Sequence, residues 1–251
     1  ILRSLANIID SYIEDDALPF ALNNKTYRLA ILTCRMKHLT ASERPWVQKA
    51  GFIMSFLANA LHPSLIHHFA ERVVFYYGSR PPDFCLRKEF RGRFIPLSEV
   101  NFKSAVIASG AIPIAVGGVR DIFGAPDGIY RDGGFLDYHI NQDYTTRNDG
   151  LTLFFHHQER IIPGWMDKRL KRRRPPEKFL DSVVMVHPSE TFIAGLPGGR
   201  IPDRGDFETF VDDPAVRIAN WRRTVELAAP LGEEFLEMIG SGRLKDVVEK
   251  L

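Results

Sequence analysis

Asp132 is the residue in this chain whose type and setting most suggest chemistry. It opens Asp132-Gly133-Gly134, which follows a short strand-like piece, Gly128 to Arg131. Taken alone, Asp-Gly-Gly is a turn, because glycine adopts positive φ without steric cost. Its setting adds to that. A helix-like run ends in Ala105-Val106-Ile107-Ala108-Ser109-Gly110-Ala111-Ile112-Pro113, and Gly124-Ala125-Pro126 lies in the intervening loop. A carboxylate at such a turn can serve as a general base. With an ordinary pKa near 4 it is a weak base in water, so it needs a partly desolvated pocket.

Other constellations say less. His62, His67 and His68 cluster without a common zinc spacing, and His156-His157 ends a strand-like run, so no metal site is expected. Cys34 and Cys85 are too few for a disulfide framework and read as reduced, buried thiols of a cytoplasmic protein. The densest charge run is Lys168-Arg169-Leu170-Lys171-Arg172-Arg173-Arg174. It reads either as a solvated loop or as a contact for anionic lipid headgroups, with Trp165 and Met166 inserting at the interface. No nucleic-acid module accompanies it. Ile201-Pro202-Asp203-Arg204-Gly205-Asp206-Phe207 is turn-rich, with Arg204 and the aspartates read as a local ion pair and caps.

These residues need a scaffold. At 251 residues, 45% apolar and 25% charged, the chain can bury a full core and is expected to be one domain over 1–251. Its net charge of +2 does not argue for nucleic acid. No apolar run reaches the length of a membrane span. Leu2, Leu5, Ile8, Ile9, Tyr12 and Ile13 recur at helical spacing, and so do Val47, Ala50, Met54, Leu57, Ala58 and Leu61 ahead of Pro63. Tyr27–Cys34, Arg72–Tyr77, Leu151–Phe155 and Ser182–Val186 read as strands. A helix is expected from near Glu99 to Ala108, capped by Ser98. Asp213 and Pro214 start another, with Pro230 kinking it, Gly240-Ser241-Gly242 ending it, and a last short helix over Leu244, Val247, Val248 and Leu251. Strands alternating with helices imply an α/β domain with a mainly parallel sheet.

The order from Ala105 to Asn141 resembles the second half of the active site of bacterial patatin-like phospholipases. In that family a helix ends in an Ala-x-Ser-x-Ala-x-Pro run. A loop and short strand then lead to Asp-Gly-Gly and an Asn-containing segment, matched loosely here by His139-Ile140-Asn141. The resemblance covers about residues 1–145, with 146–251 as a family-specific C-terminal extension. It implies a three-layer fold with a mainly parallel central sheet flanked by helices, and lipid acyl hydrolysis by a Ser–Asp dyad in which Asp132 is the base. It implies no cofactor, and a lipid or acyl-ester substrate handled in the cytoplasm or at the membrane periphery. The family's nucleophile sits on a Gly-x-Ser-x-Gly elbow, and no such motif occurs in these residues. Gly78-Ser79-Arg80 runs into Pro81-Pro82, Ser109-Gly110 lies at a helix end, and Gly240-Ser241-Gly242 separates helices. The expectation is therefore that the first strands, the elbow and the glycine-rich oxyanion turn precede Ile1. The alternative is a non-catalytic fragment that binds lipid or a protein.

Overall fold

The computed structural model describes residues 2–139, 142 and 150–250. The chain divides into two compact units, one of residues 1–153 with 160–184 and one of residues 154–159 with 185–251.

The first unit opens with α1 (Leu2–Tyr12) and α2 (Ala17–Leu22). β1 (Ala30–Met36), α3 (Pro45–Leu61), β2 (Ala70–Tyr76), β3 (Gly92–Pro96), α4 (Glu99–Ser109), β4 (Val119–Arg120) and β5 (Ile129–Asp132) follow. The five strands form one sheet in the order β3-β2-β1-β5-β4. Within strands, alternate side chains go to opposite faces. Ile31, Val73, Phe75 and Tyr130 join Phe102, Ala105 and Ala108 of α4 in one core. Cys34, Met36 and Ala70 join Phe52 of α3, Phe135 and Met166 in another. Both faces of the sheet are thus covered, which makes the unit a mixed α/β domain.

The sheet is mixed, not mainly parallel. β1 runs antiparallel to β2 and to β5, and β4 antiparallel to β5; β2 and β3 alone are parallel. The helix between β1 and β2 does not carry the chain back along the strands, as a parallel crossover must. Lys37 N–H donates to Phe69 O at 2.9 Å, and Thr40 Oγ1 donates to the same oxygen at 2.7 Å. These bonds close the excursion at the end of the sheet where it began, so β2 must return antiparallel.

Several elements differ from the sequence expectation. β1 begins at Ala30 instead of Tyr27, whose ring is exposed. β3 and β4 lie where loop was expected. The periodic residues of α3 do mark a helix, but Ala50, Met54, Leu57 and Leu61 face outward, while Gln48, Ser55 and Asn59 are buried.

A separate two-stranded sheet pairs β6 (Thr152–Phe155) with β7 (Val183–Val186). The second unit contains α5 (Glu190–Ala194), α6 (Asp206–Thr209), α7 (Pro214–Gly240) and α8 (Leu244–Val247). Asp213 caps α7 by accepting from Val216 N–H at 3.1 Å, and the helix runs through Pro230 without ending. Both aspartates of the turn-rich segment, Asp203 and Asp206, pair with Arg200, not Arg204, and Asp206 Oδ2 accepts from Trp221 Nε1 at 2.6 Å. Leu251 lies outside the described residues.

Candidate active site

Asp132 is the last residue of β5, opposite Thr33 of β1. Three interactions hold it there. Its N–H donates to Ala111 O at 3.2 Å, joining the strand end to the segment that leaves α4. Its Oδ1 accepts from Gly134 N–H at 2.8 Å, which shapes the turn. Gly133 then packs directly on β1: a Cβ there would lie 2.6 Å from Leu32 O, closer than any real contact. Glycine at 133 is therefore required for close approach to the neighbouring strand.

The carboxyl of Asp132 is half-buried. Burial holds its pKa above the ordinary carboxylate range, and the Gly134 N–H pulls the other way. This is the direction that makes a carboxylate a stronger base at neutral pH. Among the described residues, no hydroxyl is hydrogen-bonded to it. Ser109 is the last residue of α4, and Ser241 Oγ donates to Glu237 O at 2.8 Å at the end of α7. Cys34 Sγ, the nearest thiol in sequence pairing, is wholly buried and donates weakly to Gly133 O at 3.7 Å. Burial pushes that thiol far up, so it is a packing group and not a nucleophile.

Beneath the turn lies a support that sequence reading missed. Asp137 N–H donates to Gly133 O at 3.0 Å. The Asp137 carboxylate takes a bidentate pair from Arg72 of β2, Nε to Oδ2 at 2.6 Å and Nη2 to Oδ1 at 2.7 Å, with both groups nearly fully buried. The Arg72 guanidinium also stacks 4.2 Å over the Phe90 ring. An arginine directly before the apolar run Val73-Val74-Phe75 of this strand was the available signal, since a charge buried with such a run must find a partner. On the same face of the sheet, across Cys34 of β1 from Arg72, buried Arg131 pairs with Glu43 at 2.6 Å and donates to Val116 O. The turn is thus tied to β2, to β1 and to the loop after α4.

Beyond Asp137, Tyr138 N–H donates to Pro163 O at 2.8 Å and His139 N–H to Ile162 O at 3.0 Å. Ile140 and Asn141, part of the matched segment, lie outside the described residues. Trp165 does not stand out as an interface anchor. Its ring packs edge-on to Phe52 at 5.7 Å and against Phe135 at 6.2 Å, and Met166 is buried. The cationic run beside it is exposed at Lys168, Arg169, Lys171, Arg172 and Arg174. Among the described residues, no helix is long and apolar enough to cross a membrane.

No protein-family model, no curated protein and no solved structure matches this chain.

Proposed function

We propose that this chain carries the base half of a Ser–Asp dyad and belongs to a patatin-like lipid acyl hydrolase, with Asp132 as the base. The observation that carries the reading is the state of Asp132. It is a half-buried carboxyl with raised pKa, held at a strand end by Ala111, Gly134 and the close-packed Gly133. In this reading a serine outside these 251 residues attacks the acyl carbonyl. Asp132 takes the hydroxyl proton directly and returns it to the leaving alcohol, giving an acyl-enzyme that water then hydrolyses. The three-layer patatin-like arrangement is part of the same proposal. Support comes from a five-stranded sheet covered on both faces and from the Ala105–Asp132 order.

The test is ester hydrolysis by the natural protein that carries this chain. Asp132→Asn should lower kcat by roughly a hundredfold to ten-thousandfold with KM little changed. Unchanged kcat would remove Asp132 from the chemistry.

A second reading has one observation in its favour: no described hydroxyl is hydrogen-bonded to Asp132. In that reading the chain is a non-catalytic module that binds lipid or a protein. Hydrolysis of a short acyl ester by these 251 residues alone, lost on Asp132→Ala, would dismiss it.

A further inference from the structure

Helix α3 turns most of its large apolar residues outward. Beside Gly51 and Phe52, three of the residues it turns inward are polar and already bonded. Gln48 Nε2 donates to Ser42 O at 2.9 Å, Ser55 Oγ to Phe52 O at 2.9 Å, and Asn59 Nδ2 to Asp167 Oδ1 at 2.7 Å. The outward side carries Trp46, Ile53, Met54, Leu57 and Leu61, with relative exposures of 72%, 62%, 49%, 57% and 83%. At 3.6 residues per turn these five fall within an arc of about 100°. The one charge near that arc is Lys49. A surface helix ordinarily shows the reverse pattern, and a contiguous exposed apolar stripe marks a surface that something covers.

The cationic run adjoins the C-terminal end of the stripe. Ala60, next to Leu61, forms one wall of an open depression of about 560 Å³, and Arg169 to Arg174 form the rest, with no carboxylate among them. The backbone of this loop is pinned in place. Arg160 Nη2 donates to Asp167 O and Leu170 O, each at 2.8 Å, and Arg173 Nη2 donates to Asn59 O at 2.9 Å on α3 itself. Arg169, Lys171 and Arg172 remain directed to solvent.

We infer that the outer face of α3 and the Arg169–Arg174 loop together form a docking surface for an anionic lipid bilayer. Charge complementarity selects that occupant. Apolar side chains on a charge-free arc enter the headgroup–acyl boundary, and cations fixed beside them meet anionic headgroups. A second copy docked face to face would bring a second cationic loop to the same patch. The inference stands apart from the role of Asp132.

Sedimentation of the chain with phospholipid vesicles tests it. Vesicles containing phosphatidylglycerol should bind at least about tenfold more tightly than phosphatidylcholine alone, and added salt should weaken them. Two double variants, Ile53→Gln with Leu57→Gln and Arg172→Glu with Arg174→Glu, should each lose about tenfold or more while their thermal melts stay native. Should a variant melt early, brominated lipid decides on the unaltered chain: it should quench tryptophan emission, and Trp46→Phe should remove that quenching. Equal binding to both vesicle types, native binding by both variants, or no quenching of Trp46 would overturn the inference. So would a dimer that Leu57→Gln dissociates in a chain that does not bind vesicles.

Discussion

A half-buried carboxyl at Asp132 works against the fold that holds it. Its folded pKa lies above the unfolded value, so the stability tied to its protonated form is fully present below about pH 4 and lost as pH rises through the raised value. At neutral pH the anion is an internal cost. Asp132→Asn keeps an oxygen for the Gly134 N–H and removes the charge. The variant should therefore melt at least about 2 °C above the native chain at pH 7, with the gap closing near pH 3. Calorimetry at both pH values checks this, and a variant less stable at pH 7 would contradict the burial argument. The turn itself was legible in sequence because its chemistry is local: Asp supplies the acceptor, and two glycines supply the backbone freedom. What Gly133 approaches was not legible, since Leu32 is brought to it only by the pairing of β5 with β1.

At the scale of elements, the turn depends on partners far away in sequence. Arg72 and Asp137 are 65 residues apart and meet only because β2 and the residues after β5 flank β1. Asp137→Ala would leave the Arg72 charge buried without its counter-ion and should cost about 3–5 kcal/mol in urea unfolding. Joining it with Arg72→Met should restore most of that loss, whereas a simple sum of two losses would show that the groups are not coupled. The same non-locality explains what the strand pattern concealed. Alternating helices and strands look alike whether the excursion between β1 and β2 crosses the sheet or folds back to its starting end. Here the Lys37–Phe69 bond decides it. β3, read as Gly-Arg-Phe-Ile-Pro, has too little β-branched character to announce itself and takes its bonds from β2. For α3, periodicity revealed the helix but not which face is buried. That depends on Asp167 and Ser42 accepting from Asn59 and Gln48.

For the molecule as a whole, the described residues divide the labour unevenly. The first unit holds the mixed sheet, Asp132 and the cationic loop. The second is organised around α7, where Trp221 and Arg200 both hold Asp206. Asp132 combines desolvation, a fixed backbone and a supported turn. The proposed function pairs it with a serine outside these residues. A serine-directed fluorophosphonate applied to the natural protein that carries this chain tests that pairing most directly. The expected result is a single covalent serine adduct outside these 251 residues, formed at a rate that Asp132→Asn lowers by roughly a hundredfold or more. An adduct forming at the native rate in Asp132→Asn, or no adduct in the native protein, would contradict it.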